Sequence, residues 1–142
     1  MKASAAVDKV HSESRDLKLQ IALVEKEVVY GGENGIRFHS MVVRAMGGPK
    51  AGGFPLNPGQ PASFDEAFDI AKVSTALKAH LDDYEAKGHR GESFKFVEKT
   101  YQIDPAHLAV VAFVQDAKTQ HVLQAAYVDV PGPAARPVAE SR

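Results

Sequence analysis

Residues 108–116 read Leu-Ala-Val-Val-Ala-Phe-Val-Gln-Asp, residues 117–120 read Ala-Lys-Thr-Gln, and residues 121–130 read His-Val-Leu-Gln-Ala-Ala-Tyr-Val-Asp-Val. Two runs rich in Val, Phe and Tyr flank a short polar break, which is the signature of a long antiparallel hairpin. Neither run alternates cleanly between apolar and polar residues. Both are therefore expected in the middle of a sheet, buried on two faces, rather than along its edge.

The rest of the chain extends the β pattern. Leu17, Leu19, Ile21 and Leu23 fall at every second position with Lys18 and Gln20 between them, the period of a half-buried strand. Val24, Val28 and Tyr30 continue in the other parity, which predicts a β-bulge or a change of buried face near residues 22–25. Gly31-Gly-Glu-Asn-Gly35 supplies the positive-φ residues of a hairpin turn, after which Ile36, Phe38, Val42 and Met46 mark a return strand. Residues 5–10 and 93–97 offer two shorter strands, the second through Phe94 and Phe96. Residues 47–62 are dense in Gly and Pro and are expected to form a long exposed loop.

One segment departs from this period. Ile70, Val73, Leu77, Leu81 and Tyr84 recur every three or four residues, so a single amphipathic helix is expected over about 70–87, ended by Gly88. Ser63 and Glu66 have capping-box spacing, but Asp69 is the favoured N-cap, with Phe64, Ala67 and Phe68 left to a preceding strand. With strand candidates outnumbering the helix and no βαβ alternation, the fold class is mainly β: an antiparallel, immunoglobulin-like sandwich with one inserted helix. Residues 5–130 form a single domain. Residues 131–142 hold three prolines and little bulky apolar material, which predicts a disordered tail. The expected core includes Leu19, Ile21, Leu23, Phe38, Val42, Leu77, Leu81, Val111 and Phe113.

Composition excludes little by itself. The 142 residues carry 17 Lys and Arg against 18 Asp and Glu, so no basic footprint favours a nucleic-acid backbone or an anionic bilayer. No segment approaches the ~20 apolar residues of a membrane-spanning helix. The chain has no Cys, which removes disulfides, thiol nucleophiles and thiolate metal sites.

Several residue groups invite a chemical reading, and each has a plainer one. His39 and Met41, two apart on one strand, could present an imidazole and a thioether to a soft metal, but two ligands are too few and ordinary packing is favoured. Gly47-Gly-Pro-Lys-Ala-Gly-Gly53 has the glycines of a phosphate loop without its Lys-Ser/Thr order, so a sharp loop path is the better account. Glu25 and Glu27 suggest an acid and base pair, yet an i, i+2 spacing does not give opposing carboxylates and a solvated acidic face is expected. Ser12 and Ser14 lie near His11 and Asp16 with no nucleophile elbow, and read as turn residues. Arg37 and Arg44 face opposite sides unless a bulge intervenes. No catalytic residue, cofactor or metal site is assigned.

Residues 17–25 (Leu-Lys-Leu-Gln-Ile-Ala-Leu-Val-Glu), residues 33–46 (Glu-Asn-Gly-Ile-Arg-Phe-His-Ser-Met-Val-Val-Arg-Ala-Met), residues 108–116 and residues 122–126 (Val-Leu-Gln-Ala-Ala) together resemble the C-terminal β-sandwich of bacterial envelope proteins of the twenty-eight-kilodalton outer-membrane-protein type. In such proteins the sandwich commonly follows a thioredoxin-like domain. The resemblance covers roughly residues 5–130 and carries no catalytic signature. It implies a non-catalytic accessory or protein-interaction domain, extracytoplasmic, docking on a protein partner or a covalently linked neighbour, with a homodimer through a sheet edge as a further expectation. The alternative class is a small-molecule or carbohydrate-binding module, or a hydrolase, with a pocket near the 47–62 loop.

Overall fold

The computed structural model describes residues 1–31, 35–88, 90–91 and 94–132. These residues are 43% strand and 18% helix, mainly antiparallel β with one helix between strands, in a sandwich-like arrangement. In chain order the elements are β1 (Lys2–Val7), β2 (Leu17–Val29), β3 (Phe38–Met46), a 3₁₀ turn (Pro49–Ala51), β4 (Phe54–Leu56), β5 (Ala62–Ala67), α1 (Ile70–Ala86), a second 3₁₀ turn (Pro105–His107), β6 (Leu108–Asp116) and β7 (Val122–Asp129).

Strand β2 organises the larger sheet. Its length lets it pair with β6 along one edge, while β3 and then β4 share the other, giving the order β3-β2-β6-β7 with β4 beside β2. The alternation of Leu17, Leu19, Ile21 and Leu23 points all four inward, each at most 2% exposed. Register shifts between Leu23 and Val24, so the expected bulge is present and changes what the strand offers beyond it. The second layer is the pair β1-β5, in which Lys2 lies opposite Ala67 and Val7 opposite Ala62. Together with Phe68, Ile70, Val73 and Leu77 it covers the inner leucines, Leu108, Val110 and Val114.

The helix starts where its cap requires. The Asp69 carboxylate accepts from the Lys72 N–H at 3.1 Å, and Gly88 at φ 59 follows the last turn. Its apolar stripe is only half-buried, so α1 rests on the rim of the core.

Several expectations need correction. Phe38 is 65% exposed, because β3 is an edge strand and its first residues project beyond the covering layer. Val42, Leu77, Leu81, Val111 and Phe113 are half-buried rather than fully enclosed. The first strand is Lys2–Val7, not 5–10.

Residues 94–97 form no strand. Phe94 and Phe96 instead pack edge-on to each other at 5.1 Å between centroids and lie against Tyr84 of α1, while the Phe96 N–H donates to the Glu85 carboxylate at 2.8 Å. Of that expected strand, Ser93 lies outside the described residues; so do Gly32, Glu33 and Asn34 of the β2–β3 turn and positions 133–142 of the expected tail.

The 47–62 segment is more built than an exposed loop. The Gly47 N–H donates to the Ile21 carbonyl at 2.7 Å, and β4 resumes along the β2 edge that β3 has left. Gly53 has φ +73, and a Cβ there would meet the Gln20 amide oxygen at 2.6 Å and the Leu19 carbonyl at 2.9 Å, so its hydrogen side chain is what lets the chain turn back against β2. The glycines serve a sharp path, as the sequence predicts.

The segment after α1 is tied down by ions. Lys99 bridges Asp82 and Glu85, the latter at 2.8 Å, and Lys78 holds Asp82 at 2.6 Å. Hydrogen bonds from Lys78 and then Lys99 keep the Asp82 carboxyl at about 2, below its ordinary 3.8, and Lys99 with the Phe96 N–H lowers Glu85 as well. A lowered carboxylate contributes stability above its unfolded value and loses it as pH falls through the folded one. Protection of the Phe96 amide is therefore expected to fade as pH falls below Glu85's ordinary 4.5 and on toward the about 2 of Asp82, while β2 and β6 amides stay protected. Amide exchange followed across that range reads both; loss of all signals together would contradict a local, ion-held clasp.

Candidate functional site

Strand β7 was expected in the middle of a sheet, and it lies at the edge. Among the described residues it pairs only with β6, and every residue from Val122 to Asp129 is exposed, including Val122 at 54%, Tyr127 at 50% and Val128 at 59%. An apolar run reads the same whether its second neighbour is present or absent, so the sequence pattern alone could not place the strand. Edge strands are ordinarily protected by charge, proline or distortion. Between Val122 and Val128 there is no charge and no proline, and the one irregularity lies at the Val114/Gln115 end. The opposite edge is different: on β3, Met41 sits at φ 54 and interrupts regular pairing, His39 and Arg44 are interspersed, and Arg37 stands just ahead of the strand.

The space beside β7 is a groove of about 570 Å³ between the two layers. Ala3 to Asp8 of the β1 side line it without a gap, and so do Gln124 to Val128 of β7. Side chains of a strand alternate between faces, so an unbroken run facing one space means that the strand's backbone edge faces it too. Strand β1 pairs only with β5 among the described elements, so the groove is flanked by two strand edges whose outward N–H and C=O groups have no ladder partner. Its floor is apolar: Leu19, Ile21, Val110, Ala112 and Val114. The outer face of the larger sheet is also apolar. Its buried cluster of Ala22, Val24 and Ala109, with Met46 and Val111, is made wholly of residues from that sheet.

A second cavity of about 280 Å³ lies where β2 and β3 meet α1, lined by Val28, Val42, Leu81, Phe96 and the polar Tyr30, His39, Arg44, Glu98 and Thr100. Beneath it is a buried ion pair. Arg44 Nε and Nη2 approach Glu25 Oε2 at 2.7 and 2.6 Å, Nη1 donates to the Thr100 carbonyl at 3.2 Å, and Glu25 Oε1 accepts from the Asp104 N–H at 3.0 Å. Nη2 makes a close ionic approach to Oε2 without hydrogen-bond alignment, and the Thr100 hydroxyl has no hydrogen-bond partner among the described residues; both atoms are sealed from solvent. The expected solvated acidic face is thus overturned for Glu25, which is 4% exposed, and holds only for Glu27. The bulge after Leu23 causes this. It brings Arg44 to the same side as Glu25, a pairing that strict alternation would not place together.

The remaining sequence candidates fall apart as sites. His39 Nε2 lies 3.3 Å from the Tyr30 carbonyl within this cavity, whereas Met41 is exposed on its positive-φ backbone. No group of three or more His, Asp or Glu side chains is placed to hold a metal ion among the described residues. Ser12 accepts from the Ser14 N–H and Ser14 from the Asp16 N–H, which is turn chemistry, and His11 is exposed. Gly48 donates its N–H to Glu66 at 2.7 Å, so a carboxylate already occupies the position a phosphate loop would offer an anion. Arg37 is exposed and apart from the buried Arg44. Neither cavity is lined by residues 47–62. No described helix is long and apolar enough to cross a membrane. No family model, curated protein or solved structure matches this chain.

Proposed function

We propose that this chain is a non-catalytic protein-interaction module that takes up an extended strand along β7, over the groove that β1 flanks. The observation that supports the reading is the unprotected apolar edge: four exposed large side chains beside backbone groups that have no ladder partner among the described residues. An added strand satisfies those groups and covers the side chains in one event. The resemblance of the strand segments suggests the setting, an accessory domain of a bacterial envelope protein beside a thioredoxin-like neighbour, with immunoglobulin-like connectivity.

The test is selection of displayed ten-residue peptides against the full chain, with the variant Leu123→Lys/Val128→Lys as counter-target. Charges on an edge strand oppose strand addition. Recovered peptides are expected to be extended and apolar, and to lose at least about tenfold in affinity for the variant, the scale of about 1.4 kcal/mol. Peptides that bind both proteins equally contradict the reading, as does hydrolytic turnover by the purified chain that depends on His39.

A further inference from the structure

We infer that the strand taken up by β7 is β7 of a second copy of this chain, the two running antiparallel about a two-fold axis at Ala125. This rests on the strand-addition reading above and gives it a partner. The argument is self-complementarity of sequence and charge along the exposed edge. Just ahead of strand β7 stand the basic residues Lys118 and His121, and Asp129 ends it, with no charged residue from Val122 to Val128. Antiparallel self-pairing lays each basic end beside the other copy's acidic end, where Asp129 is still 62% exposed despite its contact with Lys26.

The same register matches size and polarity. With Ala125 opposite Ala125, the small Ala126 lies beside Gln124, so no two bulky side chains crowd each other at the centre. Next outward, Leu123 and Tyr127, exposed by 48% and 50%, lie beside each other, and Val122 approaches Val128. Moving the axis by one residue, to Ala126, sets Asp129 against Leu123 and Gln124 against Val128 and loses both matches. Parallel pairing would set like ends together. The groove of about 570 Å³ on the inner side leaves room beside β7 for the incoming strand. Strand β3 offers no equivalent, since Met41 at φ 54 breaks its edge.

The chain contains no Cys, so one introduced thiol reports on one position. In an antiparallel pair, residues opposite each other have Cα atoms ~4.5–5.5 Å apart, within the span a disulfide bridges. Full-length Ala125→Cys is expected to form a covalent dimer under mild oxidation about tenfold faster than Ser40→Cys on the opposite edge, because pairing raises the local thiol concentration. Light scattering is expected to show a concentration-dependent dimer that Leu123→Lys/Val128→Lys abolishes while circular dichroism stays unchanged.

Equal cross-linking at the two positions, or a strictly monomeric wild type at high concentration, overturns self-pairing. If the wild type is monomeric but selected peptides still bind β7, self-pairing falls and strand addition stands. If the peptides fail as well, both fall.

Discussion

Replacing Arg44 by Ala is expected to destabilise the fold by about 3 to 5 kcal/mol, the cost of leaving a buried charge without its partner. Glu25 and Arg44 have side chains only 6% and 7% exposed, so solvent cannot take over when one of them is removed. The pair also joins three parts of the chain. Glu25 on β2 is bonded to Arg44 on β3 and to the Asp104 N–H ahead of β6, and Arg44 reaches the Thr100 carbonyl. The double variant Glu25→Gln/Arg44→Met keeps an acceptor for Asp104 and removes both charges, so it is expected to recover most of the loss. Urea denaturation of the two variants decides the matter. A loss below about 0.5 kcal/mol for Arg44→Ala, the range of ordinary surface changes, would contradict the burial of the pair.

The second large effect is expected at Leu108. It is 1% exposed and lies at the start of β6, opposite Glu25 and against the inner leucines of β2. Truncation to Ala removes most of its side chain from a packed interior and is expected to cost about 2 to 5 kcal/mol. Leu23→Ala, at 0% exposure, is expected in the same range. Phe38→Ala is expected to change stability by less than about 0.5 kcal/mol, although the sequence marks Phe38 as core, because it is 65% exposed. Denaturant midpoints measured on the three variants side by side check the ordering. Equal losses at Phe38 and Leu108 would contradict the exposure of Phe38 at the open edge of β3.

What the sequence made legible is local. The alternation of Leu17 to Leu23 marks a strand with one apolar face, and the residues between 70 and 84 mark a helix that Asp69 caps, because those periods follow from backbone geometry alone. The antiparallel, mainly β class follows from them. What it concealed depends on neighbours distant in the chain. Strand β1 lies in a separate layer only because it pairs with β5 some sixty residues on, as in Lys2 opposite Ala67. Phe94 and Phe96 have strand spacing, yet Tyr84 and Glu85 of α1 are what they meet.

The candidate site was concealed for the same reason. Apolar residues 122–128 imply two neighbours, and the described residues supply one. That mismatch between a strand composed for the interior and a strand standing at the edge is the basis of the functional reading. The Gly47 to Gly53 stretch, by contrast, offered a surface signal and turned out to hold β3 and β4 along one edge of β2. Strand β4 tolerates Pro55 because it is three residues long and pairs only with β2.

Residue-resolved amide exchange along β7 tests the central claim most directly. In the free chain, alternate amides between Val122 and Asp129 point away from β6 and are expected to exchange rapidly, while those facing β6 are protected. On raising the chain concentration, or on adding a selected strand peptide, the fast set is expected to become protected with little change elsewhere. Protection that appears instead on β3 or over residues 47–62, with β7 unchanged, would contradict it.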